Sequence, residues 1–169
     1  MLITVRSRRW WASRKRRETV TASGHAAVLS ALLIAFTSLA RAETSAQTLY
    51  LLQCSGCHGP DGSGDPRVDV PPFPGFIGSF LRDPQGRRYV TNVGGVMSAG
   101  LDDHDTARVL NWLLQTFAGR SLPDDFKKFD AAEVRHLRAT RPADAVALRR
   151  QIAARLLAQG IALPAYPWP

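Results

Sequence analysis

The chain has 169 residues, with 22 Lys and Arg against 14 Asp and Glu and a formal net charge of +8. That length suits one domain with additions, and the positive balance invites a nucleic-acid-binding reading. The distribution excludes it: residues 1–42 hold eight basic residues and one acidic residue, Glu18, while the remainder holds 14 basic and 13 acidic residues.

Residues 1–42 read as a secretory signal peptide. A basic region ends near Arg17, and an uncharged stretch from Thr19 to Ala40 is most apolar between Ala26 and Leu39. Ala40-Arg41-Ala42 offers small residues at both cleavage positions. Cleavage near Ala42 would start the mature chain near Glu43 in the periplasm. A retained anchor is the competing reading, but the apolar segment is shorter than the ~20 residues a spanning helix needs. No stable membrane span is expected after cleavage.

A helix is expected over Glu43–Gln53, with Leu49, Leu52 and Gln53 at helical spacing and Tyr50 four residues before Cys54. It runs into Cys54-Ser55-Gly56-Cys57-His58, a C-x-x-C-H pattern. Two thiols so spaced can add to the two vinyl groups of one porphyrin, and the adjacent imidazole can then ligate its iron. The pattern therefore predicts one covalent haem c on Cys54 and Cys57, with His58 as an axial ligand. Three other readings fit less well. A thioredoxin-like pair would open a helix, but His58-Gly59-Pro60-Asp61-Gly62 cannot form one. A structural zinc site needs about four ligands, and the chain has only 2 Cys. A disulfide across two residues would be strained and would close almost no loop.

A loop rich in Gly and Asp follows, and then Val70-Pro71-Pro72-Phe73-Pro74-Gly75, which can be neither helix nor central strand. A rigid segment here could offer the Pro71 carbonyl to the free N–H of His58. Phe76, Ile77, Phe80 and Leu81 suggest a short helix against the cofactor. Asp83-Pro84-Gln85-Gly86 is a turn, and Arg87–Val93 a further short helix ended by Gly94-Gly95. Met97 is the only Met beyond the leader. It is expected in a Gly-rich loop rather than on an apolar helix face, so core filling is the weaker reading. A thioether opposite His58 would complete six-coordinate iron. His104 and His136 are the alternatives, each placed by its helix in solvent. Asp102 caps the next helix, where Asp103 and Asp105 suit the positive dipole end. Its stripe is Ala107, Leu110, Leu114 and Phe117, with Trp112 and Leu113 beside it and Gly119 at its close.

In this order the residues from 43 to 119 resemble the class I c-type cytochromes, small single-haem electron carriers. Tyr50, the Cys54–Gly59 run, Gly62 and Gly64, Pro71-x-Phe73-x-Gly75, Met97 and Trp112 carry the resemblance. Ala46 replaces a crossing glycine, and Ser98-Ala99 replaces the proline common after the Met. The resemblance implies an all-α cytochrome c-like fold wrapped around the haem. It also implies closely crossing first and last helices, His58 and Met97 as axial ligands, and Tyr50, Pro71, Phe73 and Trp112 around the cofactor. The implied function is periplasmic electron transfer without bond chemistry, with redox partner proteins that are a dehydrogenase donor, an oxidase acceptor or both. A haem subunit of a larger periplasmic dehydrogenase is the alternative.

Residues 120–169 form a C-terminal extension, expected to be helical and packed on the core. Asp130-Ala131-Ala132-Glu133 resembles a capping box, leading a helix with Val134 and Leu137 inward. Ala145, Leu148, Ile152 and Leu156 mark a second helix, and the chain ends in extended, aromatic sequence. Residues 127–155 hold eight basic and three acidic residues, against six and ten in 43–126. That asymmetry fits a solvated helix face or a docking surface.

Overall fold

A computed structural model describes residues 43–165. Residues 1–42 and the terminal Tyr166-Pro167-Trp168-Pro169 lie outside the described residues, and so do the readings made of them. The fold is all-α: among the described residues there is no strand, only an isolated antiparallel bridge between Asp65 and Val70.

The first described helix, α1, spans Ala46–Gln53 and starts three residues later than the sequence predicts. Ser45 explains the shift, because its hydroxyl accepts from the Thr48 N–H at 3.1 Å and caps the helix. Leu49 and Tyr50 face the core, whereas Leu52 is 70% exposed. A single turn, α2 (Ser55–His58), follows at once. The helix expected around Phe80 is a 3-10 helix, Ile77–Arg82. It buries Phe80 but leaves Phe76 outside the helix and partly exposed.

Helix α3 (Gly86–Asn92) packs Tyr89 against Phe80, with ring centroids 4.8 Å apart and planes tilted by 30°. Gly86 is required there, since a Cβ would overlap the Phe80 carbonyl. A second correction concerns Met97. It lies on a one-turn helix, α4 (Gly94–Ser98), because Gly94-Gly95 opens a helical turn rather than a loop.

Helix α5 (Asp103–Phe117) is the longest element among the described residues, and the Asp102 carboxylate caps it by accepting from the Asp105 N–H at 2.7 Å. It buries Thr106, Ala107, Val109, Leu110, Leu113 and Leu114, a wider face than one stripe. The reason is that α5 is packed on two sides, by α1 and by the later helix α6 (Ala131–Ala139). Each fully buried Leu or Val here contributes about 1.5–3 kcal/mol.

In the extension, α6 contacts α3 and α5, while α7 (Ala145–Ala158) contacts α3 and the 77–82 helix. Val134, Ile152 and Leu156 are fully buried at these contacts. The Asp130 carboxylate caps α6 by accepting from the Glu133 N–H at 2.8 Å. The Glu133 carboxylate turns to α3, where Arg87 grips it with Nε and Nη2 at 2.5 and 2.6 Å. Polar contacts add to the seam. The Asn111 amide bonds both the carbonyl and the N–H of Phe129, and Arg135 and Arg138 both reach Asp103. Arg135 and Arg138 of the extension thus meet an acidic residue of the core, and Glu133 a basic one, inside one compact unit.

Candidate cofactor site

The end of α1 and the turn α2 place the motif. The Cys54 N–H donates to the Tyr50 carbonyl at 2.9 Å, and the His58 N–H donates to the Cys54 carbonyl at 3.0 Å. The local helix thus continues through the motif and sets Cys54, Cys57 and His58 around one turn. Both thiols are free; Cys54 is half-buried and Cys57 exposed. Burial, and then the neighbouring Cys57, pushes the Cys54 thiol above its ordinary range.

The chain after the motif is folded back tightly. The Gly64 N–H donates to the His58 carbonyl at 2.9 Å, and the Phe73 N–H donates to the Gly62 carbonyl at 2.8 Å. Gly64 has φ +72°, and a Cβ there would overlap the Val70 carbonyl, so only glycine lets the two segments meet. This return lays the Phe73 ring on the His58 imidazole, with centroids 4.1 Å apart and planes 21° from parallel. Burial lowers the His58 pKa and favours the neutral imidazole that a metal requires. Its Nδ1 is buried without a hydrogen-bond partner. The expected acceptor, the Pro71 carbonyl, is not engaged with it; that carbonyl lies instead beside Gly64.

Cys54, Cys57, His58, Pro71 and Phe73 line one cleft of about 500 Å³, whose other walls include apolar side chains of α5 (Val109, Leu110, Leu113, Leu114) and of the 77–82 helix. The volume is of the size that holds a large cofactor. A largely apolar cleft with two thiols and a half-buried imidazole at one end fits a porphyrin bound through its edge and its metal.

Two expected cofactor neighbours stand elsewhere. Tyr50 and Trp112 do not line the cleft but pack behind it, 5.0 Å apart, at the crossing of α1 and α5. The face of α5 toward the cleft is taken by Leu110, Leu113 and Leu114, and Trp112 projects from another side. Tyr50 is fully buried there and donates its hydroxyl to the Gly59 carbonyl at 2.6 Å, fastening the motif from behind. Burial, then the charge of Cys54, pushes its phenol up to about 12.

Met97 lies at the border of the cleft. Its neighbours Val96, Ser98 and Ala99 line the cleft. Its own side chain, 39% exposed, lines an adjoining cavity of about 600 Å³ with Asn92 and Arg141. The two cavities share Tyr89, Val93 and Gly94. Neither His104 nor His136 lines either one. Sequence reasoning missed Arg149 and Pro164, which line the cleft from the extension. The signal for Arg149 was its spacing: it lies three residues before Ile152 on the apolar face of α7, where a basic residue is out of pattern.

No family model matches the chain. It is 32% identical over 134 residues to a cytochrome c-552 of Thermus thermophilus, covering 68% of this chain and 89% of that protein. A second Thermus thermophilus cytochrome c-552 is 32% identical over 120 residues, 59% of this chain and 91% of that protein. Cys54 and Cys57 are compatible with the covalent haem c that such relatives imply. With that likeness, the helical fold and the cleft at the C-x-x-C-H turn, the chain belongs to the monohaem c-type cytochromes, the haem-containing electron-transfer proteins.

Proposed function

We propose that this cytochrome is a periplasmic one-electron carrier, exported by cleavage of residues 1–42, with its haem joined to Cys54 and Cys57 and its iron held by His58 and Met97. The observation that carries this reading is the cleft with Cys54, Cys57 and His58 at one end and the α4 turn at its border. The bound haem supplies an iron that takes up and releases one electron. The remaining work falls to the chain. The α1–α2 turn fixes both sulfurs and the imidazole on one side, and Phe73 holds the imidazole plane by stacking. Leu110, Leu113 and Leu114 exclude water, which lowers the local dielectric. Met97 hangs from the α4 turn on an unbranched side chain with three rotatable bonds, and its soft sulfur favours ferrous iron and a raised potential. If His58 and Met97 both held the iron, no position would remain for a substrate, and the protein would transfer electrons between redox partners rather than act on a bound substrate.

Mass spectrometry and ligand spectroscopy test the reading together. The exported, denatured chain starts near Glu43 and keeps the mass of one haem through acid-acetone extraction. The ferric protein has the weak far-red sulfur-to-iron band. Met97→Ala abolishes that band, lowers the potential and opens the iron to carbon monoxide. A wild-type protein that binds carbon monoxide readily, or a Met97→Ala protein with unchanged spectrum and potential, overturns the ligand assignment.

A further inference from the structure

We propose that Arg149, carried by the C-terminal extension, is the positive partner of a haem propionate, so that the extension forms part of the cofactor site. The proposal rests on haem occupying the cleft as set out above. Arg149 lies on α7 and is only 5% exposed. It lines the cleft, and no other Lys or Arg among the described residues does so. Its Nη2 donates to the Pro164 carbonyl at 2.9 Å, and its guanidinium carbon lies 5.7 Å from the centroid of Phe80. These contacts hold the planar group at a fixed place in the cleft wall.

A guanidinium keeps its charge at every accessible pH and has five N–H donors, so it can serve several acceptors at once. Haem brings two carboxylates to the cleft, and the guanidinium fork matches a carboxylate in a two-bond pair. Asp69, also in the lining, has the same sign as a propionate and would repel it. A cation fixed beside the cofactor in a low dielectric stabilises the reduced, more negative state. Arg149 is thereby a positioning residue: it holds the propionate and raises the potential through it.

The test uses the exported full chain with haem attached, in four forms: wild type, R149Q, R149K and the exposed neighbour variant R150Q. Midpoint potentials are measured alongside oxidised-minus-reduced infrared difference spectra, in which the propionate carboxylates are read directly. The expected result is a lower potential in R149Q with shifted carboxylate bands. R149K should recover most of the potential while its bands remain shifted, because Lys cannot make the two-bond pair. R150Q should leave the bands as in wild type. Unchanged potential and bands in haem-loaded R149Q overturn the proposal, as do bands that shift equally in R150Q. Should R149Q fail to mature, R149K decides alone: shifted bands support the pair and wild-type bands overturn it. Absence of haem mass from the wild-type chain would instead overturn the site reading on which the proposal rests.

Discussion

Arg155 and Asp83 form a forked ion pair that ties the last helix to the turn before α3, with Nε donating to Oδ2 at 2.7 Å and Nη2 to Oδ1 at 2.9 Å. The carboxylate is the buried partner, with its side chain 1% exposed against 44% for Arg155. The Gln85 N–H also donates to its Oδ1 at 2.8 Å, so one side chain caps the turn and anchors the extension.

The hydrogen bonds from Arg155 hold the Asp83 carboxyl below the usual carboxylate range. A folded-state pKa below the unfolded one gives stability that is present above the unfolded value, about 4. It is lost as pH falls through the folded value. Asp83→Ala is expected to destabilise the protein by about 1–3 kcal/mol at neutral pH. Denaturant unfolding followed between neutral and acid pH checks this. The gap between variant and wild type should narrow as the pH drops below that of a free carboxylate.

Ile152 is fully buried in the seam between the extension and the core. Ile152→Ala is expected to cost about 2–5 kcal/mol. In limited trypsin digestion of the wild-type protein, sites within α6 and α7 should be cut slowly. In the variant the extension should be released faster, with thermal unfolding at lower temperature. Rapid, clean loss of everything after Arg120 from wild type, with no change in thermal stability, would contradict the packing role.

The Tyr50 phenol, pushed up to about 12 by burial and then by Cys54, should stay protonated in the native protein at pH values where an exposed tyrosine ionises. Thioether formation removes the share of Cys54 and leaves that of burial. Because the folded value is the higher one, the stability linked to Tyr50 is complete below about pH 10 and declines as pH rises toward the folded value. Absorbance titration against Tyr50→Phe isolates the group. Loss of its bond to the Gly59 carbonyl should cost the variant about 0.5–1.5 kcal/mol.

Gly64→Ala should be poorly tolerated, because its Cβ would meet the Val70 carbonyl and its φ is +72°. A backbone forced into that region costs about 1–3 kcal/mol before any clash is counted. The expected outcome is a lower ratio of haem to protein in exported material. Gly75→Ala serves as control: Gly75 has φ +75° with nothing within 4 Å of its Cβ, so only the backbone cost applies.

Chemistry confined to a few consecutive residues was the most legible. Cys54, Cys57 and His58 are placed by one turn, and Asp102 with its acidic neighbours marks the start of α5. Contacts that depend on how helices meet were less so. Trp112 carries the aromatic character expected at a cofactor, yet the rotation of α5 sets it against Tyr50. The 3-10 geometry of Ile77–Arg82 has no periodic signal distinct from a short α-helix. Arg149 reaches the cleft only because α7 lies across α3 and the 77–82 helix, a packing between distant segments that spacing alone does not specify.

The cleft is built from both ends of the described chain, with Cys54 and Cys57 in one wall and Arg149 and Pro164 in another. Synthesis runs in one direction, so the two cysteines leave the ribosome long before the residues that complete their enclosure exist. Until α7 and the segment to Pro164 arrive, the thiols stand beside an unfinished cleft. If the chain crosses the membrane N-terminus first, as export would require, the thiols reach the far side before the residues that enclose them, an order that a circular permutant starting at Arg120 would reverse.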